Sequence, residues 1–248
     1  MKAQYTGKLI IAGGNAKTIK GDGTEYLTAI MYLRPWKNTF GGQVLNVCAN
    51  AEIADCHGPC LNTAGRGKQN NVQNWRMGKT ERFWMEREGF MMDLINDLRQ
   101  FRNKCAKLGV KPCVRLNGTS DIRWENIIVD GKSVMEWYPD IQFYDYTKIA
   151  NRKVSHLKNY HLTFSYSAAN PIFLRQVDIA LARGMNIAVV FRNKNSIPTE
   201  FLGRPVVNGD ADDLRFLDPA GSVVALYAKG RAKKDKTGFV VDYPAIAS

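Results

Sequence analysis

Apolar residues return at three- and four-residue steps through the middle of the chain, at Phe83, Phe90, Met91, Leu94, Ile95, Leu98, Phe101 and Cys105. That spacing lines one stripe of a helix. It predicts a long helical tract from about residue 71 to 108, with Gly78 or Gly89 as the candidate break and Gly109 as the stop. Elsewhere the apolar runs are short. Residues 8–12, 28–33 and 43–47 read as strands before the helix, and 111–116, 141–144, 160–164 and 186–191 after it. Residues 223–228 and 239–241 close the series.

Between the later strands lie a helical or irregular stretch around Ser133 to Trp137, a short helix from about Thr147, and a better-marked helix. The last is opened by Asn170 as N-cap with Pro171 behind it, and closed by Gly184. Strands alternating with helices imply βαβ units and a largely parallel sheet. No Gly-rich dinucleotide fingerprint is present. The pattern therefore predicts an α/β, (β/α) barrel-like fold, complete or incomplete, in a single domain over 1–248. Residues 1–27 form its lead-in, with turns at Gly13-Gly14 and at 21–23.

Composition narrows the class. The 248 residues are 45% hydrophobic and 23% charged, which suits a globular chain with a sizeable core. No apolar run approaches the roughly 18 residues that span a bilayer, and the start lacks the apolar segment of a secretory signal. A cytoplasmic protein away from membranes is expected. The net charge of +12 makes nucleic acid the first partner to consider. The densest basic block is Lys229, Arg231, Lys233, Lys234 and Lys236, for which a solvated loop is the plain alternative.

Five cysteines are an odd number, and three of them crowd into one segment as Cys48, Cys56 and Cys60, spaced C-x7-C-x3-C. They open a stretch to about Lys68 rich in Gly, Asn and small residues, hence a loop following an early strand. In a reducing compartment, clustered thiols point to metal rather than disulfides. Thiolates are soft donors that suit iron–sulfur clusters and zinc. Three of them on a [4Fe–4S] cluster leave a fourth position open or for a non-cysteine ligand. His57 would make a Cys3His zinc set, and Cys105 or Cys113 could complete the ligands, although both read as core residues. Unbound thiols are the bland alternative.

Four strands end in polar bursts. Asn117, Thr119, Ser120 and Asp121 follow the first, and Asp145 and Lys148 end the second. Ser165, Ser167 and Asn170 follow the third, and Arg192 and Lys194 the fourth. In a parallel barrel such ends share one face, where catalytic groups sit. Asp145 and Lys148 are the candidate acid/base pair, and Asn117, Asp121, Ser165, Asn170 and Arg192 the candidate substrate or cofactor pocket. Plain loop polarity and helix capping explain any one of them. Asp210, Asp212 and Asp213 read as a solvated acidic loop.

Several strings resemble the phage gene product 88 family: 15–21 (NAKTIKG), 60–67 (CLNTAGRG), 114–121 (VRLNGTSD), 143–148 (FYDYTK), 160–165 (YHLTFS) and 213–219 (DLRFLDP). The resemblance implies a bacteriophage protein working in a bacterial host cytoplasm, and no activity. A second resemblance is to radical S-adenosylmethionine enzymes, which pair a strand-following three-cysteine loop with a partial (β/α) barrel. Those use C-x3-C-x2-C with an aromatic residue before the last cysteine, where this chain has Pro59. Together these features lead to an iron–sulfur protein, with a radical-S-adenosylmethionine-like or redox enzyme as the candidate activity and S-adenosylmethionine as a candidate cofactor, while whether it is an enzyme stays open. The alternatives are a cluster-bearing electron carrier or nucleic-acid-binding protein, and a zinc-stabilised module.

Overall fold

The computed structural model describes residues 4–13 and 25–243, so the string at 15–21 and the turns at Gly14 and 21–23 lie outside the described residues. The chain enters through β1 (Tyr5–Thr6), β2 (Ile10–Ala12) and β3 (Tyr26–Met31), each antiparallel to the next. A small hairpin follows, β4 (Lys37–Phe40) and β5 (Gln43–Asn46), turned by Gly41 and Gly42 at positive φ.

The expected long helix is present as two, α1 (Asn70–Met85) and α2 (Arg87–Leu108). The break falls at Glu86, at φ −131° and ψ 49°, while Gly78 and Gly89 stay helical. Packing decides the position. The bend lets Phe83 meet both Phe90 and Trp124 edge-on at 5.4 Å, which keeps both stripes on the core. Gly109, in the left-handed region, ends α2 as expected.

After it come β6 (Lys111–Arg115), α3 (Val134–Trp137), β7 (Gln142–Thr147), β8 (Tyr160–Ser165), α4 (Pro171–Ala182) and β9 (Ile187–Phe191). Then follow β10 (Glu200–Phe201), β11 (Arg204–Asn208), β12 (Val223–Tyr227) and β13 (Val240–Val241). Ser133 and Glu136 close α3 with a capping box, and Asn170 caps α4. The short helix expected from Thr147 is absent. Thr147 ends β7, and residues 148–159 run as turns and bends, because Asp121 accepts from Thr147 Oγ1 and Lys148 N at 2.8 Å each.

One large sheet holds these strands in the order β1-β2-β3-β6-β7-β8-β9-β12-β11-β10, with β13 also on β9. From β3 to β12 the neighbours are parallel and follow chain order. Each crossover therefore steps the same way, whereas a doubly wound sheet reverses. Among the described residues the outer strands β1 and β10 do not pair, so the sheet is not a closed barrel.

One face packs on the helices, with Val114, Phe143 and Leu162 against Phe83, Phe90, Leu94, Leu98 and Phe101. The other carries Cys113, Arg115, Tyr144 and Tyr146 and is covered by Leu214 and Phe216. Asp213 accepts from Arg115 Nη1 at 2.6 Å there, and Asp212 pairs with Arg215 at 3.0 Å. The acidic loop expected to be solvated is instead tied down by arginines, with buried Asp213 stitching it to the sheet.

Candidate functional site

The chain from Cys48 to Cys60 runs as turns, riveted onto the C-terminal ends of three strands. Asp121, six residues past β6, pairs in parallel with Cys48, and its N–H donates to Val47 O at 2.7 Å. Asn50 Nδ2 donates to the Lys148 carbonyl just after β7, at 2.7 Å. Ser167 Oγ donates to the Ala54 carbonyl from just past β8, also at 2.7 Å. Inside the loop, Cys56 N donates to Ala51 O and Asp55 takes a left-handed φ of 49°.

These bonds gather the thiols. Cys48 feels the charge of both Cys56 and Cys60, Cys60 feels that of Cys56, and Lys148 feels all three. Burial pushes all three thiols up from the ordinary cysteine value. Two of the sulfurs receive backbone donors, Trp36 N to Cys48 Sγ at 3.4 Å and Asn62 N to Cys60 Sγ at 3.5 Å. Trp36 aims its N–H by adopting φ 61°, uncommon for so bulky a residue.

Around the sulfurs is a buried polar layer. Lys148 Nζ donates to Ser165 O at 3.1 Å and to Ser165 Oγ at 3.0 Å, above the rings of Phe173 and Phe239. Burial holds this amine below the ordinary lysine value, and Cys56 and Asp121 oppose that shift. Arg152 spans the underside. It donates to both oxygens of Glu125 and to Tyr160 OH, and lies 3.5 Å from Asp121. The Tyr160 hydroxyl donates a hydrogen bond to Asp145 at 3.0 Å.

The site residues expected from sequence separate into groups. Asp121, Lys148 and Ser165 surround the cysteines. Asp145 and Lys148 do not form the expected pair. Asp145 accepts from Asn117 N at 2.8 Å, from Asn117 Nδ2 and from Tyr160, while Lys148 serves Ser165. Asn117 is spent on structure, its Oδ1 taking Ser120 Oγ, Ile122 N and Trp124 Nε1. Asn170 caps α4, donated to by Ile172 N at 2.8 Å. Arg192 grips Asp242 and the Lys233 and Asp235 carbonyls.

Sequence reasoning missed Trp36, Asn50, Glu125 and Arg152. They sit singly in irregular segments with no periodic signal to mark them.

Burial pushes Asp145 up to about 7. Its carboxyl stays protonated in the folded chain while the unfolded chain ionises. Stability from this group is therefore full below about pH 4 and drains as pH rises to 7, by on the order of 4 kcal/mol. Asp145→Asn is expected to flatten that slope. Denaturant titrations at pH 5 and 8 read it as a narrower gap between the two pH values.

As to what the thiols can hold, no group of three His, Cys, Asp or Glu side chains among the described residues is arranged around a single metal ion. In a cubane each cysteine binds a different iron, so its sulfurs stand further apart than donors on one ion. Two backbone N–H groups, from Trp36 and Asn62, are directed at sulfur, and Lys148 couples electrostatically to all three cysteines. His57 stacks on Trp36 at 4.5 Å with Nδ1 near Ala51 O, which fits a fourth zinc ligand poorly. Cys105 packs in the core cluster of the helix face, and Cys113 lies beside Thr28 and the Leu27 carbonyl.

Residues 8–243 match the sequence model of the family described as Gene product 88. The chain belongs to the Gene product 88 family. Membership supports a bacteriophage origin and spans nearly all the elements above, the cysteine loop included. No curated protein and no solved structure matches the chain. Among the described residues of this Gene product 88 chain, no helix is long and apolar enough to cross a membrane. Two shallow depressions, of about 200 and 470 Å³, lie away from the cysteines. One is at the N-terminal ends of β6 and β7, and the other is between α2 and residues 127–130.

Proposed function

We propose that this chain is a phage iron–sulfur enzyme of the radical S-adenosylmethionine type, working in the host cytoplasm. Cys48, Cys56 and Cys60 would hold three irons of a [4Fe–4S] cluster. The observation that carries the reading is the gathering of three thiols and Lys148 over the C-terminal ends of β6, β7 and β8. In parallel (β/α) sheets that end is where chemistry is placed. The six parallel strands in chain order, β3, β6, β7, β8, β9 and β12, supply the frame of a partial barrel.

When bound, such a cluster supplies an electron at low potential to a ligand on its open iron. The chain's own residues do the rest. The Trp36 and Asn62 N–H groups and the Lys148 ammonium offset the negative charge of the thiolates. Burial pushes the Asp121 carboxyl up, and Arg152 opposes that shift. The rings of Phe173 and Phe239 lie against Lys148, which is buried.

The test is anaerobic purification, cluster reconstitution, and addition of S-adenosylmethionine with dithionite. The expected result is release of methionine and 5′-deoxyadenosine in step with iron content. Iron-loaded protein that leaves S-adenosylmethionine intact would remove the enzymatic part of the reading.

A further inference from the structure

The basic block at 229–236 has a defined place. Its 3-10 turn, Gly230–Lys234, packs directly on the turn Leu61–Thr63 that Cys60 caps. Gly230 sits so close that a Cβ there would lie 3.0 Å from the Ala64 Cβ, and its φ of 56° favours glycine. The next turn along, Gly65–Lys68, adds exposed Arg66 and Lys68 beside the same loop.

The block is also held rigidly. Ala232 is buried with Ala228 and Val240. Arg192 donates to the carbonyls of Lys233 and Asp235 and is itself clamped by Asp242. Asp235 turns inward to Val240 N and Thr237 Oγ1. The segment's acidic neighbours are thereby used up, with Asp210 taken by Lys229. Among the described residues, Arg66, Lys68, Arg231, Lys233, Lys234 and Lys236 are exposed and engaged in no ion pair. Lys233 lies over the Tyr227 ring at 5.3 Å. An exposed cluster of cations without acidic partners, held on a braced turn, attracts polyanions.

We propose that this surface binds single-stranded nucleic acid, its phosphates seated on Arg231, Lys233, Lys234 and Lys236 and its path crossing the lip of the cysteine site. Phosphate contacts of this kind fix position and register without reading sequence. The choice of a single strand rests on the function proposed above. A base stacked within a duplex cannot reach a buried centre, whereas an unpaired one can.

The test measures binding of fluorescent oligonucleotides, single- and double-stranded, across a salt series. Arg231→Glu/Lys234→Glu is compared with Lys107→Glu/Lys158→Glu, an exposed pair at the opposite end of the strands. The first pair is expected to lose at least tenfold in affinity for the single strand and to lower the salt slope by about 1.4, roughly 0.7 for each phosphate contact removed. The second pair is expected to stay near the parent. Equal losses in both pairs, preference for duplex, or tighter binding to anionic phospholipid vesicles than to oligonucleotide would overturn the inference. Measuring metal-free and iron-loaded protein separates the two proposals. Binding without iron leaves this one standing alone, and iron without binding leaves only the other.

Discussion

Cys56→Ala is expected to strip the protein of its iron, from about four per chain to background, while the fold stays intact. The loop around residue 56 is held by hydrogen bonds to its own backbone that alanine retains, Cys56 N to Ala51 O and the Ser167 hydroxyl to Ala54 O. Near-unchanged circular dichroism should therefore accompany the loss of metal. Cys48→Ala and Cys60→Ala should behave alike, since a cubane with two protein ligands is labile. Cys105→Ala supplies the contrast. Its sulfur is buried in the α2 core, so its removal should cost about 1 kcal/mol of stability and no iron. Iron analysis and denaturation of the four variants test this together. A Cys56 variant that keeps its iron would contradict it.

Arg152→Leu is expected to cost about 3–5 kcal/mol at neutral pH. The guanidinium is almost wholly buried and serves Glu125, Tyr160 and Asp121 at once. Leucine fills part of the volume but leaves two buried carboxylates without their counter-charge. Asp121, already pushed up by burial, would lose the charge that opposes that shift and resist ionisation further. For carboxyls shifted upward, stability is full at low pH and lost as pH climbs, so the deficit should narrow toward pH 5. Urea titrations at pH 5 and 7.5 decide this. A loss below about 1 kcal/mol, equal at both pH values, would show that the network does not carry the load described.

Much of the frame is legible in the sequence because period and punctuation are local. The stripe through Phe90, Leu94, Leu98 and Phe101 marks α2, and Asn170, Pro171 and Gly184 bracket α4. What escapes is decided at a distance. The break at Glu86 follows from packing on Trp124, not from either glycine nearby. The Lys37–Phe40 strand and the two-residue Glu200–Phe201 are too short for a period to show. Asp213 reads as solvated until Arg115, 98 positions earlier, is placed against it.

The site divides in the same way. Three clustered cysteines and polar strand ends are visible as residue types, and Lys148, Asp121 and Ser165 do gather with the cysteines. Their pairings are not visible. Asp145 and Lys148 lie three residues apart on one strand end, yet Tyr160 and Asn117 claim the first and Ser165 the second. Arg192 braces the basic turn.

Everything chemical here depends on Cys48, Cys56 and Cys60 sharing one polynuclear centre. Iron and acid-labile sulfide, counted per chain on protein kept free of oxygen, address that dependence. About four of each, lost together on substitution of any of the three cysteines, is the predicted result. A single zinc per chain, or thiols that all titrate as free in the metal-loaded preparation, would contradict it.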